Sequence, residues 1–209
     1  FSGLGGTAIM IQELEHYGAT PAVAVLRNRI ENVCLGDDLD KEALRARQFG
    51  AASEVLIAYN LINGTGPGQH PHAGIGVQEA EGLTLANNLV RSADAGILVK
   101  QAVRGLVVRN NLMVENRGPG IEIYSGATGV DSDYNGYFQN AGGDSTGLPR
   151  EAHSVYGDPK LSERFGLTVG SPLIDAGEAL AEPGQDFSLQ EVPQGTAPDI
   201  GVLEFVPSP

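Results

Sequence analysis

The chain carries one motif twice between residues 82 and 124, first as Gly82-Leu-Thr-Leu-Ala-Asn-Asn-Leu-Val and then as Gly105-Leu-Val-Val-Arg-Asn-Asn-Leu-Met. Each copy leads into a second apolar run, which is Gly96-Ile-Leu-Val-Lys after the first and Gly120-Ile-Glu-Ile-Tyr after the second. Internal repeats of this kind are typical of folds built from stacked, similar units.

The repeat extends in both directions when the second Asn of each pair is taken as the reference position. Two earlier segments and one later segment fall into the same register. The spacings of 32, 28, 23 and 24 residues indicate a basic period of about 23 residues, with insertions in the first two repeats. The reference residues are Asn28, Asn60, Asn88, Asn111 and Asn135.

Apolar residues recur at fixed distances from each reference Asn. Their alternation with period two predicts strands that bury one face. The second apolar run also alternates, so that Ile97 is predicted to face inward while Leu98 and Lys100 face outward. The predicted inward positions are Val25, Ile57, Leu85 and Val108; Val23, Val55, Leu83 and Leu106; Ile30, Ile62, Val90 and Met113; and Ile9, Ile75, Ile97 and Ile121.

Short strands without intervening helices cannot form a sheet of alternating strands and helices. They can wind as a parallel β-solenoid whose coils stack at about 4.8 Å. The reference Asn residues would then form a column in which each side-chain amide bonds to the backbone and to the Asn of the next coil, at roughly 1 kcal/mol per bond. The alternative is that Asn only marks turns.

The repeats resemble the right-handed parallel β-helix of the pectate-lyase-like superfamily. The motifs Asp133-Tyr-Asn, Asp158-Pro-Lys-Leu, Gly170-Ser-Pro-Leu-Ile-Asp-Ala-Gly177 and Asp199-Ile-Gly-Val-Leu-Glu204 resemble the closing segment of many secreted bacterial β-helix proteins. Some of those proteins are polysaccharide lyases or glycoside hydrolases. The resemblance implies an all-β, right-handed parallel β-helix that acts on carbohydrate, either secreted or at the cell surface.

The predicted domain has two parts. Residues 1–140 form the coils, interrupted by a helical excursion at 37–49, where Asp37 and Asp38 can cap the helix and Arg45 and Arg47 come late. Residues 141–209 hold most of the twelve prolines and are predicted to be an irregular C-terminal cap of the same domain, with 200–205 as a last strand over the open coil.

Composition limits the partners. The net charge of −13 argues against nucleic acids and anionic membranes, and no apolar run approaches the ~18 residues that a membrane span requires. The predicted partner is a polysaccharide. The register starts Ile9 in the middle of a coil, so we also expect either further coils before Phe1 or end-to-end self-association.

One stretch of this acidic chain is basic. Between residues 91 and 117 there are five bases and two acids. Lys100 and Arg109 occupy outward positions, Arg104 lies in the turn between them, and Glu122 and Tyr124 follow one coil later. These five residues are the predicted catalytic set.

The basic stretch fits a lyase that acts on an acidic polysaccharide. Such an enzyme needs a cation to neutralise the sugar carboxylate, a base to remove the adjacent proton and an acid for the leaving oxygen. We predict Lys100 or Tyr124 as the base and Arg104 or Arg109 as the carboxylate clamp. The candidate substrate-binding residues are Gln78, His72 and Arg117.

Other functions fit the same residues. The basic stretch can be a solvated face of a non-catalytic adhesin or of a self-assembling surface protein. A glycoside hydrolase would need two carboxylates about 5–9 Å apart, for which Glu79 with Glu81 and Glu115 with Glu122 are loose candidates.

Asp131-Ser-Asp-Tyr-Asn-Gly136 matches the first half of an EF-hand loop. The twelfth position is Gly142 instead of Glu, and no helices are predicted beside it, so an EF-hand is excluded. Asp131 and Asp133 remain candidate ligands for a calcium site of another kind.

Overall fold

The computed structural model describes residues 6–14, 22–33, 41–49, 54–64, 71–181 and 184–207. These ranges contain strands and turns but no helix, and therefore no helix with the length and apolarity of a membrane span. The strands form three sheets, in which every pairing between neighbours is parallel. This is the all-β parallel solenoid that the sequence predicts.

Successive coils contribute a strand to the first, second and third sheets in turn, except that the described chain has no second-sheet strand between residues 146 and 155. The first sheet contains β1 (Ile9–Leu14), β4 (Glu42–Phe49), β7 (Ala73–Ala80), β10 (Ala95–Val99), β13 (Ile121–Ile123) and β16 (Ser145–Thr146). The second sheet contains β2 (Ala22–Leu26), β5 (Glu54–Ala58), β8 (Leu83–Ala86), β11 (Val107–Arg109) and β14 (Asp131–Asp133). The third sheet contains β3 (Arg29–Glu31), β6 (Leu61–Asn63), β9 (Leu89–Arg91), β12 (Leu112–Val114), β15 (Gly136–Phe138) and β17 (Val155–Tyr156).

The predicted inward columns line the interior. In the second sheet Ile57 pairs with Leu85 and Leu85 with Val108, and in the first sheet Ile75 pairs with Ile97. All five are fully buried in one continuous core. The predicted register is therefore confirmed, and stacked apolar side chains between the sheets stabilise the coils.

The turn between the second and third sheets, the Asn corner, has the same backbone in every coil. A residue with φ between 51° and 57° precedes each reference Asn. Left-handed backbone is costly for most residues, but it redirects the chain sharply from one sheet into the next. These left-handed residues are Arg27, Tyr59, Asn87, Asn110 and Tyr134.

The reference Asn residues form the predicted ladder. The amide nitrogen of Asn60 donates to the carbonyl oxygen of the Asn88 side chain at 3.0 Å, and the Asn88 amide donates to that of Asn111 at 2.9 Å. The same two acceptor oxygens also receive the backbone N–H groups of Asn60 and Asn88. Equivalent bonds join Asn28 to Asn60 and Asn111 to Asn135, so the ladder prediction is confirmed over its whole length.

The ladder ends on a buried carboxylate. The side-chain amide of Asn135 donates to Glu151, and its backbone N–H donates to Ser154 Oγ at 2.7 Å. Ser132, Ser154 and Tyr137 also donate hydroxyl groups to Glu151, whose exposure is 8%. Burial and this neighbouring carboxylate raise the pKa of Tyr137. Glu151 and Ser154 together thus accept the two hydrogen bonds from Asn135 that the side chain of a further Asn would accept.

The two Asn residues of each Asn-Asn pair have different tasks. The second belongs to the ladder, whereas the first points outward and holds residues 158–181 and 184–207, here called the C-terminal segment. Asn87 donates to the carbonyl oxygens of Asp199 and Gly201 at 3.1 and 3.2 Å, and Asn110 donates to that of Glu178 at 2.9 Å. The outward role of the first Asn was not predicted.

The C-terminal segment lies along the side of the β-helix. Its apolar side chains cover outward Leu residues of the third sheet, so the prediction of a cap over the open coil is wrong for this segment. The buried residues in this contact include Leu173, Ile200 and Val202 of the segment and Leu61, Leu89 and Leu112 of the sheet.

The predicted last strand at 200–205 is also wrong. The backbone N–H groups of Glu204 and Phe205 donate to the carboxylates of Asp186 and Asp199 at 2.9 and 2.6 Å, and not to another strand. Before this segment, β16 and β17 add short parallel pairings to the first and third sheets, so the sheets continue past residue 140.

The helix predicted at 37–49 is wrong over its described part, and residues 34–40 lie outside the described residues. Positions 42–49 form β4, which pairs with β1 and β7 in the first sheet. Leu44 and Ala46 are fully buried in the core, opposite Ile75 and Val77. Burial of this alternating pair outweighs the local charge pattern that favours a helix.

Candidate functional site

The outer face of the first sheet carries two columns of outward side chains. The register aligns Arg45 with Gly76 and Leu98, and Arg47 with Gln78, one coil after another. The second column continues with Lys100 and Tyr124, which directly follow β10 and β13. The members of the columns are Met10, Arg45, Gly76, Leu98, Glu122 and Thr146, and Gln12, Arg47, Gln78, Lys100 and Tyr124.

A buried carboxylate lies among the cations of this face. Glu42 has 1% of its side chain exposed, and its Oε1 is 2.9 Å from Lys100 Nζ. Its Oε2 accepts hydrogen bonds from the Arg45 guanidinium. A carboxylate removed from water is stable only with such partners, so Glu42, Arg45 and Lys100 form one ionic cluster.

Gly76 makes the cluster possible. A Cβ atom at this position would lie 2.3 Å from Glu42 Cγ and 2.9 Å from Oε1. The Glu42 side chain therefore occupies the space that a residue on β7 would fill. We call this space above Gly76 the notch. It lets the Glu42 side chain of β4 reach Lys100, which follows β10, although β7 lies between the two strands.

The other groups of the second column are polar, whereas the first column also contains Met10 and the fully buried Leu98. Arg47 donates to the Gln12 side chain at 3.1 Å, and Gln78 donates to Glu79 at 3.0 Å. Tyr124 is 42% exposed. Four predicted site residues, Gln78, Lys100, Glu122 and Tyr124, therefore lie on one face.

Three other predicted site residues lie in the turns or at the strand ends that adjoin this face. Arg104 is exposed in the turn that leads to the second sheet, next to Glu81 and Thr128. Arg117 is exposed in the turn between the third and first sheets. His72 lies just before β7, and its Nδ1 is 3.9 Å from an oxygen of Asp94.

Arg109 does not join the cluster. On the second sheet its guanidinium bonds to Asp131 at 2.7 Å and to Glu178 of the C-terminal segment at 2.6 Å. Burial lowers the pKa of Arg109, but the hydrogen bonds to Asp131 and Glu178 outweigh this effect and raise it. Because it binds both Asp131 and Glu178, Arg109 connects the C-terminal segment to the coils. The prediction that Arg109 and Lys100 share one site is therefore not confirmed.

Asp131 and Asp133, the candidate calcium ligands, have protein partners. Asp131 bonds to Arg109, and Asp133 is 2.7 Å from His153 Nδ1. Burial raises the pKa of Asp133, but hydrogen bonds from His153 and from the Tyr134 backbone lower it overall. The described residues contain no cluster of three or more metal-ligating His, Cys, Asp or Glu side chains. A calcium ion would have to displace these partners.

Sequence reasoning missed Glu42, Arg45 and Arg47, because 37–49 was assigned to a helix. The alternation in Leu44-Arg-Ala46 matches that in Ile75-Gly-Val77, and this match is the sequence pattern that indicates a strand at 42–49. No sequence pattern predicts the contact between Glu42 and Lys100, because the contact depends on the notch at Gly76.

Several concavities lie outside the two columns; one of about 240 Å³ is lined by Arg104, Glu79 and Glu81, and one of about 310 Å³ by Asp131 and Asp133. A mostly apolar groove of about 530 Å³ runs between the second sheet and Leu180, and a pocket of about 280 Å³ on the third sheet lies beside Arg91 and Phe165. Neither contains a predicted catalytic or substrate-binding residue.

The right-handed β-helix region family matches residues 2–148. The chain therefore belongs to this family, and the predicted handedness is confirmed. No curated protein and no solved structure matches the chain.

Proposed function

From its membership of the right-handed β-helix family, we propose that this protein binds an acidic polysaccharide on the outer face of the first sheet and cleaves it there by β-elimination. A single observation carries the proposal. On a chain with a net charge of −13, this face aligns Arg45, Arg47 and Lys100 with amide and phenol groups in successive coils. We expect such a protein to act outside the cell, as a secreted or surface protein.

The spacing of the coils suits a linear polymer. Strands of neighbouring coils lie about 4.8 Å apart, so side chains in one column repeat at a distance comparable to a sugar ring. Arg47, Gln78 and Lys100 follow one another in this way. Arginine binds carboxylates with two parallel hydrogen bonds, and amides bind sugar hydroxyls.

The chemistry proposed for the site is elimination next to a uronate carboxylate. Arg45, Arg47 and Lys100 would neutralise the carboxylate and so acidify the adjacent C–H group. Tyr124 is the candidate for the proton transfer, because it is exposed beside Lys100, whereas Lys100 is bound to Glu42. As a phenolate, Tyr124 would take the proton from the carbon next to the carboxylate. A C=C bond forms as the C–O bond to the neighbouring sugar breaks, and the Tyr124 phenol then gives the proton to the leaving oxygen. Arg104 in the adjoining turn can contact the next sugar.

The test is a panel of polygalacturonate, alginate and a neutral glucan, with binding measured by calorimetry and cleavage by the ultraviolet absorbance of the unsaturated product. Wild type is expected to bind and cleave one acidic polymer, and Tyr124→Phe to bind it without cleavage. Arg47→Ala should weaken binding, while Arg164→Ala, which removes an exposed cation elsewhere, should not. Equal binding of the neutral glucan would contradict the proposal.

A non-catalytic, self-assembling protein is the second candidate. Among the described strands, β1, β2 and β3 each pair on one side only, which leaves their other edges open for a further coil. Light scattering at increasing protein concentration tests this: growing oligomers support assembly, and a constant monomer mass contradicts it.

A further inference from the structure

Glu42 has no part in the function proposed above, although it is the most deeply buried charged group near the candidate site. Its side chain is 1% exposed, whereas Lys100 and Arg45 retain 14% and 16%. Burying a carboxylate is unfavourable unless cations and donors compensate for the lost water. A buried Glu at this position needs a specific reason.

The arrangement fixes the position of the Lys100 side chain. A lysine side chain is flexible and loses considerable rotamer freedom when it is held in one position. Here the ammonium is held 2.9 Å from Glu42 Oε1, across the notch at Gly76. Arg45 holds the other oxygen of the same carboxylate, so both cations are oriented by one anion.

We infer that Glu42 is a positioning residue, which fixes Lys100 and Arg45 as carboxylate-binding groups for the acidic polysaccharide. This inference rests on the proposed function. It assigns Lys100 to charge recognition, because the pair with a buried carboxylate is stable only while Lys100 carries its proton. Lys100 therefore binds the uronate carboxylate as an ammonium and does not abstract the proton.

The first experiment needs no ligand. The chain has three lysines, Lys41, Lys100 and Lys160, so acylation by an amine-reactive reagent can be followed at each by mass spectrometry. In Glu42→Gln, Lys100 should react severalfold faster relative to exposed Lys160 than in wild type. Glu115→Gln, which removes the partner of Arg91 on the third sheet, is the matched control and should leave the ratio unchanged. An unchanged ratio in Glu42→Gln would overturn the inference.

The second experiment measures affinity for polygalacturonate, or for whichever acidic polymer wild type binds, at several salt concentrations. Glu42→Gln makes the face more positive, so simple charge addition predicts tighter binding. The inference predicts binding weaker by about tenfold, because Lys100 and Arg45 no longer hold the geometry of a charge-assisted contact. Unchanged or tighter binding contradicts it, since a merely structural Glu42 would lower the melting temperature alone.

Two further variants keep the test decisive if Glu42→Gln does not fold. Lys100→Gln leaves Glu42 paired with Arg45, and the double variant Glu42→Gln/Lys100→Gln removes both members of the Glu42–Lys100 pair. If Glu42 acts through Lys100 and Arg45, removing it weakens binding less in the Lys100→Gln background, where only Arg45 is left to position, than in wild type. An equal loss in both backgrounds would refute a role through Lys100. If wild type binds no acidic polymer, the proposed function fails, while the acylation ratio still decides whether Glu42 positions Lys100.

Discussion

The Asn corner and the outer face of the first sheet belong to the same coils but use them in opposite ways. At the corner each coil repeats the same residue and the same bond, from Asn60 to Asn88 and from Asn88 to Asn111. On the outer face each coil presents a different side chain, such as Arg47, Gln78 or Lys100. Repetition serves stacking, whereas variation on an otherwise regular scaffold marks where a specific ligand can be recognised.

The largest effect is expected from a charge inside the coils. Val99→Asp should prevent folding, because Val99 is fully buried in the core and no partner is available for a carboxylate there. Thr128→Asp, at an exposed turn, is the control and should fold normally. Circular dichroism and gel filtration distinguish the two, and a cooperatively melting Val99→Asp would mean that the inward register is wrong.

The next effect tests the corner. Asn88→Ala leaves the backbone N–H and the amide of Asn60 without their acceptor in a buried place, at a cost of about 3 kcal/mol or more. Asn28→Ala, at the first position of the ladder, removes an outer bond and should cost only about 1 kcal/mol. Urea denaturation measures both. Equal losses would show that the ladder is not a cooperative buried network.

A smaller effect is expected at the notch of the outer face. Gly76→Ala forces Glu42 away and should cost about 1–3 kcal/mol, as overpacking does. In Gly157→Ala the added Cβ meets nothing within 4 Å, so this variant should be close to neutral. Thermal unfolding compares them. A neutral Gly76→Ala would show that Glu42 does not need the space.

The smallest effect concerns pH. Burial raises the pKa of Glu204 and of Asp199, although backbone N–H groups oppose the shift at both. A carboxyl group whose pKa is raised in the folded state binds its proton more tightly there than in the unfolded chain. The folded protein therefore loses stability as the pH rises from the ordinary pKa of the group to its raised pKa. Wild type should therefore lose stability relative to Glu204→Gln across this window, as measured by urea titrations at each pH. A constant difference would contradict the shift.

The repetitive part of this molecule could be predicted and the specific part could not. The ladder and the inward columns follow from local alternation, because every coil obeys the same rule. β4 was mistaken for a helix because the charges of Arg45 and Arg47 imitate a helix end, while the burial of Leu44 and Ala46 is decided by neighbouring coils.

The candidate site was predicted in part for the same reason. Gln78, Lys100, Glu122 and Tyr124 were assigned to outward positions from the register, and they share one face. Arg109 has an equally outward position, but it binds Glu178, which is 69 residues away in sequence. Contacts of this kind depend on how the C-terminal segment packs, which no repeat specifies.

Hydrogen exchange with and without a saturating acidic polymer tests the central claim most directly. If the outer face of the first sheet binds the polymer, protection should rise in residues 42–49, 73–80, 95–100 and 121–124, while the peptides of the Asn corner keep their exchange rates. Protection centred on the groove of the second sheet or on residues 158–165 of the third-sheet pocket would contradict the account.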